Sequence, residues 1–140
     1  MLSLRSVNQF YGKNHILWNV DLDLPPGTCT GILGRPGMGK TTLVNCIMGK
    51  LPINSGTISW QQDGSPPEDL LSQPAELRAR QGIGFVPQGR HIFTQMSVED
   101  NLLIALLAGA QANDGYRAIP EMIFDLLPAL YSLRQQRSGD

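Results

Sequence analysis

The sequence predicts an α/β fold in which strands come first, helices follow, and a glycine-rich loop joins the two. Apolar and polar residues alternate over Ile16–Leu24 with the period of a half-buried strand. A short apolar segment, Thr28–Leu33, runs directly into the glycine-rich loop, and a helical pattern starts near Gly39. After Gln88 the pattern is helical only. Together these observations indicate strands that position a loop at the start of a helix.

Five strands are expected before the helical part of the chain. Turn-forming pairs such as Ser55-Gly56 and Asp63-Gly64 separate them. The predicted strands are Leu2–Phe10, Ile16–Leu24, Thr28–Leu33, Thr57–Trp60 and Gly82–Pro87. The polar stretch Gln61–Gln73 predicts a surface loop, because it carries two prolines and few apolar residues.

Five helices are expected. The first starts near Gly39 and ends near Gly49, and Pro74–Gln81 predicts a short exposed helix with its proline in the first turn. Ser97 followed three positions later by an acidic residue predicts the start of the third helix. The fourth begins near Ile119, and an interior proline, Pro128, ends it and opens the fifth.

Composition narrows the functional class. A chain of 140 residues with 41% hydrophobic and 16% charged residues is typical of one globular domain. The net charge of −1 gives no basic surface for nucleic acid, so we expect no nucleic-acid partner. No secretory signal opens the chain, and the longest apolar run, Leu102–Ala108, is too short to cross a bilayer. Cys29 and Cys46 lack metal-ligand spacing, and we expect both to be buried.

The residues from Gly34 to Thr41 match the phosphate-loop pattern G-x-x-x-x-G-K-[ST] without a gap. Glycines let the backbone turn so that its N–H groups approach phosphate oxygens, and the following helix points its positive end at the same anion. We expect Lys40 to reach the β- and γ-phosphates, Thr41 to coordinate Mg²⁺, and Thr42 to lie near the α-phosphate. The predicted phosphate-binding set is therefore Gly34, Arg35, Pro36, Gly37, Met38, Gly39, Lys40, Thr41 and Thr42.

Pro36 departs from an ideal phosphate loop. It has no N–H to donate and pushes Arg35 away from helical backbone angles. Since a hydrogen bond to a charged group contributes about 1.5–3 kcal/mol, losing one donor would weaken binding without abolishing it.

Two other functional classes fit a phosphate loop. A small kinase or GTPase is one, but the Asn-Lys-x-Asp motif that would select a guanine base does not occur. The other is a non-enzymatic interaction module, in which the loop holds no nucleotide.

Three further features accompany the loop. Tyr11 follows the first predicted strand, and Val86-Pro87-Gln88 follows the last. Gly89-Arg90-His91-Ile92-Phe93 comes next, and then the stretch from Met96 to Leu102. Over almost the whole chain, this combination resembles the nucleotide-binding subunits of ABC transporters.

The resemblance implies roles for two more residues. In this family the tyrosine stacks on adenine, and the glutamine touches Mg²⁺ and the attacking water; Tyr11 and Gln88 match those positions. It also implies ATP and Mg²⁺ as cofactors and a second ATP-binding subunit. Transmembrane permease subunits would contact the Gln88 loop and the helices after it, on the cytoplasmic face of the cell membrane. Residues 1–87 would form the ATP-binding core, and residues 88–140 the Gln88 loop and the start of the helical subdomain.

Within the family, the chain is most similar to the branch that serves branched-chain amino acids and urea. Gly34-Arg35 and the Gln-Gly-Arg-x-Ile-Phe run are shared with that branch. The segment His15-Ile16-Leu17-Trp18 and the Val-Pro-Gln run are more similar to the urea-type subunit.

Two expected family motifs do not occur in these residues. The Leu-Ser-Gly-Gly-Gln signature is absent, and so is an apolar strand ending in Asp-Glu; Glu99-Asp100 lies at a helix start instead. The fold class expected is thus an ABC-type phosphate-loop domain truncated before the signature motif. Such a gene product would bind ATP weakly and hydrolyse it negligibly.

Overall fold

The computed structural model describes residues 1–89, 91–109 and 118–139, so Arg90 of the loop motif lies outside the described residues. The chain divides into two compact units, Met1–Arg78 and Ala79–Asp140. The division into an ATP-binding core over residues 1–87 and the start of a helical subdomain over residues 88–140 stays a prediction. Among the described residues, no helix is long and apolar enough to span a bilayer.

The first elements of the chain are β1 (Leu2–Tyr11), β2 (Asn14–Leu24), α1 (Lys40–Ile47), β3 (Ser55–Trp60), β4 (Glu68–Asp69) and α2 (Ala75–Arg80). The strands form a four-stranded antiparallel sheet with the strand order β2-β1-β3-β4. Helix α1 begins directly after the glycine-rich loop, and a 3₁₀ turn at Leu70–Ser72 follows β4.

The core of the first unit lies between the sheet and α1. Leu4 of β1 pairs with Ile58 of β3, and both side chains are fully buried. Helix α1 contributes Leu43, Cys46 and Ile47, whose spacing of three and four residues places them on one helix face. Each large apolar side chain buried in this way stabilises the fold by about 1.5–3 kcal/mol.

The second unit contains α3 (Val98–Ala108), α4 (Glu121–Leu126) and α5 (Pro128–Leu133). The predicted helix start at Ser97 is confirmed: its hydroxyl accepts a hydrogen bond from the Asp100 N–H at 3.0 Å. The predicted role of Pro128 is confirmed as well, because it occupies the first turn of α5.

Two predicted strands, Thr28–Leu33 and Gly82–Pro87, are wrong: in the described part of the chain neither segment pairs with another strand. The segment 28–33 is exposed throughout, to 95% at Leu33, whereas 82–87 alternates between exposed and half-buried residues, with Val86 exposed to 93%. A run of apolar residues favours burial, but a strand forms only where a neighbouring strand supplies the hydrogen bonds.

Three smaller predictions are also wrong. Cys29 belongs to the exposed segment 28–33 and is itself exposed, whereas Cys46 is buried as expected. Burial raises the pKa of the Cys46 thiol, although the positive charge of the nearby Arg78 opposes this. The predicted loop over 61–73 contains β4 and the fully buried Leu70. The helix predicted as exposed, α2, buries Arg78 to 4% exposure.

Candidate nucleotide-binding site

The glycine-rich loop begins with a tight turn around Pro36 and Gly37. The Met38 N–H donates to the Arg35 carbonyl at 3.3 Å, and Gly37 has a φ of +82°. Proline followed by a residue with positive φ is the sequence preference of a type II turn. Pro36 therefore removes one donor from the loop but favours the turn that shapes it.

Gly39 joins the loop to α1 and lies against the sheet. It precedes the first helical residue with a φ of +93°, a left-handed conformation that side chains disfavour. A Cβ atom here would lie 3.0 Å from Cγ2 of Ile16 and 3.1 Å from Cδ2 of Leu17, both in β2. Only glycine allows β2 to pack this closely against the start of the helix.

Lys40 is the first residue of α1, and its side chain folds back over the loop. The ammonium Nζ donates to the carbonyl oxygens of Gly34 at 2.7 Å and Arg35 at 2.8 Å. The positive charge is thereby held at the same end of α1 as the positive end of the helix dipole. This arrangement makes the loop and helix start an anion-binding end of the first unit.

The two threonines that follow Lys40 differ in exposure. Thr41 is exposed, and Thr42 is buried to 9% exposure. The Thr41 hydroxyl is thus the more accessible of the two for an incoming ligand.

Tyr11 ends β1 at the tip of the β1–β2 hairpin. Its side chain is 47% exposed, and its backbone pairs with Asn14 across a two-residue turn in which Gly12 has a φ of +58°. Below this tip His15 stacks between Phe10 and Trp18, with ring centroids 4.0 and 3.7 Å away. The hairpin that carries Tyr11 is the one that packs against Gly39 through Ile16 and Leu17.

Gln88 lies in the second unit, where its side chain is exposed. It follows residues 83–87, which lie outside the named strands, and precedes Gly89, which has a φ of +91°. The structure thus collects Tyr11 and the phosphate-loop residues in the first unit and Gln88 in the second.

The chemistry of the loop fits a polyphosphate. It combines an ammonium group, an exposed hydroxyl at Thr41 and a helix N-terminus in one place. The described residues contain no group of three or more His, Cys, Asp or Glu side chains that could hold a divalent metal. Such a metal therefore fits this set only if the phosphates supply part of its ligands. Magnesium is commonly bound in this way, through few protein ligands and the substrate phosphates.

Sequence reasoning missed three residues that shape the site. Ile16 and Leu17 form the surface against which Gly39 packs, and their alternation predicted a strand without predicting this contact. Arg78 contacts the other end of α1. An arginine in a short helix gives no signal of burial, because arginine is mostly exposed in proteins.

Comparisons with known proteins identify the family of the chain. Residues 17–137 match the family model described as ABC transporter. The chain is 31% identical over 139 residues to the high-affinity branched-chain amino acid transport ATP-binding protein BraG of Pseudomonas aeruginosa, covering 99% of this chain and 57% of that protein. It is 34% identical over 105 residues to the lipopolysaccharide export system ATP-binding protein LptB of Escherichia coli K12, covering 75% of this chain and 42% of LptB. The chain thus spans about half the length of these relatives.

Solved structures show the same fold. A nucleotide-free ATP-binding cassette from an ABC transporter matches with a TM-score of 0.74 at 24% identity, over 100% of this chain and 58% of that one. A dimeric post-hydrolysis cassette, MJ0796, bound to ADP and Pi matches with a TM-score of 0.69 at 22% identity, over 99% of this chain and 62% of that one. The predicted phosphate-loop fold class is confirmed, and the chain belongs to the ABC transporter family of ATP-binding domains.

Proposed function

We propose that this chain binds ATP as part of the ATP-binding subunit of an ABC importer, where ATP binding and hydrolysis drive solute uptake. The observation that carries the proposal is the position of the Lys40 ammonium, held at the glycine-rich loop by the Gly34 and Arg35 carbonyls. A cation and a helix N-terminus at one glycine-rich turn form a site for the terminal phosphates of a nucleotide.

Each predicted site residue has a place in this proposal. Lys40 would hold the β- and γ-phosphates, and Thr42 would lie near the α-phosphate. Thr41, together with Gln88, would hold Mg²⁺, which supplies charge neutralisation on the phosphates when bound. Tyr11 would carry the adenine ring. The backbone from Gly34 to Gly39 would wrap around the phosphates.

The partners proposed are a second ATP-binding subunit and a pair of transmembrane permeases. The dimeric state of the MJ0796 cassette supports the first. The Gln88 loop and the helices after Ser97 would contact the permeases, which places the subunit on the cytoplasmic face of the membrane.

For the transported solute we propose branched-chain amino acids. BraG supports this, and so does the probable branched-chain amino acid transport ATP-binding protein LivF of Archaeoglobus fulgidus, 30% identical over 139 residues. Urea is the alternative within the same branch. Neighbouring genes separate the two: an adjacent urease cluster would favour urea.

A second candidate function is nucleotide binding without hydrolysis, as a binding module. The acidic pair Glu99-Asp100 supports it, because both carboxylates are engaged at the start of α3. Asp100 accepts from the Ser97 hydroxyl at 2.8 Å, and Glu99 accepts from the Gln135 side-chain amide at 2.7 Å. We expect the isolated chain to release phosphate from MgATP no faster than a blank without protein. Steady-state turnover comparable to that of full-length subunits would overturn this candidate.

Removing the Tyr11 ring is expected to weaken ATP binding by about tenfold, because stacking of one base on an aromatic ring contributes about 1–3 kcal/mol. Calorimetric titration of wild type and Tyr11→Ala with MgATP measures the loss. Inorganic tripolyphosphate has no base, so its affinity should be the same for both proteins. Tyr131→Ala, which removes a ring from the second unit, is the matched control. Equal losses for ATP and tripolyphosphate would argue against adenine stacking on Tyr11.

A further inference from the structure

Arg78 is a buried cation in the first unit. Its side chain is 4% exposed although it lies on a short helix of six residues. The guanidinium donates three hydrogen bonds to backbone carbonyls: from Nε to Gln73 at 2.9 Å, and from Nη1 to Cys46 at 3.0 Å and Ile47 at 2.7 Å. Burial lowers the pKa of Arg78, while the negative charge of Asp69 acts in the opposite direction.

The acceptors Cys46 and Ile47 lie in the last turn of α1. Carbonyls in the last turn of a helix have no partner within the helix, and they form the negative end of the helix dipole. The Cys46 carbonyl also accepts from the Gly49 N–H, at 3.1 Å, just beyond the helix end. Arg78 therefore caps the C-terminal end of the helix whose N-terminal end carries Lys40 and the glycine-rich loop. It also ties that helix to the segment that contains Gln73.

Gly49 leaves the space that the guanidinium occupies. Its φ is +75°, and a Cβ atom there would lie 2.9 Å from Cζ of Arg78 and 3.0 Å from Nε. Glycine just after a helix is common, because the left-handed conformation ends the helix. Here it has a second effect, since any side chain would displace the arginine.

We infer that Arg78 is a positioning residue of the nucleotide site, which fixes the far end of α1 and adds a buried positive charge behind the phosphate loop. The inference rests on the proposed function, because it requires that the loop bind a polyphosphate. Helix α1 has 8 residues and is therefore about 12 Å long. At that distance solvent would largely screen an exposed charge, whereas a buried charge is screened much less.

This role has a signature that simple stabilisation lacks. The interaction of a fixed charge with a ligand scales with the charge of the ligand. Loss of the Arg78 charge should weaken binding most for ATP, less for ADP and least for AMP. A smaller folded fraction would lower all three apparent affinities by the same factor. A distorted loop would weaken ATP most as well, because the proposed loop contacts are to the β- and γ-phosphates. Arg78→Lys, which keeps the charge without the paired hydrogen bonds of the guanidinium, separates the charge from the loop geometry.

The test is calorimetric titration of the full chain with each of the three nucleotides, after circular dichroism has shown that each variant is folded. For Arg78→Gln we expect ATP affinity to fall by about three- to tenfold and AMP affinity, with half the ligand charge, by about two- to threefold. Arg78→Lys keeps the charge and should recover most of the ATP affinity. Arg80→Gln, an exposed arginine of the same helix, is the matched control and should bind like wild type.

Gly49→Ala provides a second route if Arg78→Gln fails to fold. It displaces the guanidinium without removing it, and ATP affinity should fall by a factor between those of Arg78→Lys and Arg78→Gln. Equal losses for the three nucleotides, or none, in a folded Arg78→Gln variant would overturn the inference. Wild-type protein that binds none of the three would instead overturn the proposed function.

Discussion

Replacing Lys40 with alanine is expected to lower the affinity for MgATP by about 100-fold or more. Among the described residues, the Lys40 ammonium is held at the glycine-rich loop by hydrogen bonds to the carbonyls of Gly34 and Arg35. A hydrogen bond to a charged group contributes about 1.5–3 kcal/mol, and each 1.4 kcal/mol is a factor of ten in affinity. Contacts to two phosphates therefore account for at least two orders of magnitude. Isothermal titration calorimetry of both proteins measures the difference.

Lys50→Ala is the control for this experiment, because it removes a lysine from beyond the opposite end of α1. Its affinity should stay within about twofold of wild type, since a single surface charge at that distance is screened. If wild type and Lys40→Ala bound MgATP with the same affinity, the loop would not be the nucleotide site. That result would favour an interaction module.

Replacing Gly56 with alanine is expected to have the largest effect on stability. Gly56 is the second residue of β3 and has a φ of +100°; a Cβ atom there would lie 2.5 Å from the Ser6 carbonyl oxygen and 2.7 Å from that of Arg5. These are backbone atoms of a neighbouring strand and cannot rotate away. The left-handed conformation costs alanine about 1–2 kcal/mol, and overpacking adds about 1–3 kcal/mol. We expect the free energy of unfolding to fall by about 2–5 kcal/mol, measured by urea titration.

Gly64→Ala separates the two causes. Gly64 has a φ of +76°, but no atom lies within 4 Å of the Cβ position. Its substitution should cost only the conformational part, about 1–2 kcal/mol. Equal losses of stability in the two variants would show that the close approach of β1 to Gly56 is not a constraint.

The antiparallel part of the fold was predictable because its determinants are local. The alternation over Ile16–Leu24 predicts a strand there, and β2 contains that segment and pairs with β1. The starts of α1 and α3 followed from the loop motif and from Ser97. In each case the residues that specify the element lie within it or next to it.

The errors concern features that depend on distant residues. Segment 28–33 is apolar enough for a buried strand, but strand formation requires a neighbour that the segment itself cannot supply. Burial of Arg78 depends on α1 carbonyls about thirty positions earlier in the chain and on the space at Gly49. The positions of the site residues were predictable from a contiguous motif, whereas the packing behind them was not.

The hydrogen bonds of Lys40 to its own loop make nucleotide binding a replacement reaction rather than a simple addition. Before the ammonium can meet a phosphate oxygen, it must leave the Gly34 and Arg35 carbonyls. The enthalpy observed on binding is then the difference between two sets of charged hydrogen bonds, and it understates the strength of the new contacts. When no nucleotide is bound, the same bonds hold the turn closed. The Lys40 ammonium therefore tethers the loop until it moves to a phosphate oxygen.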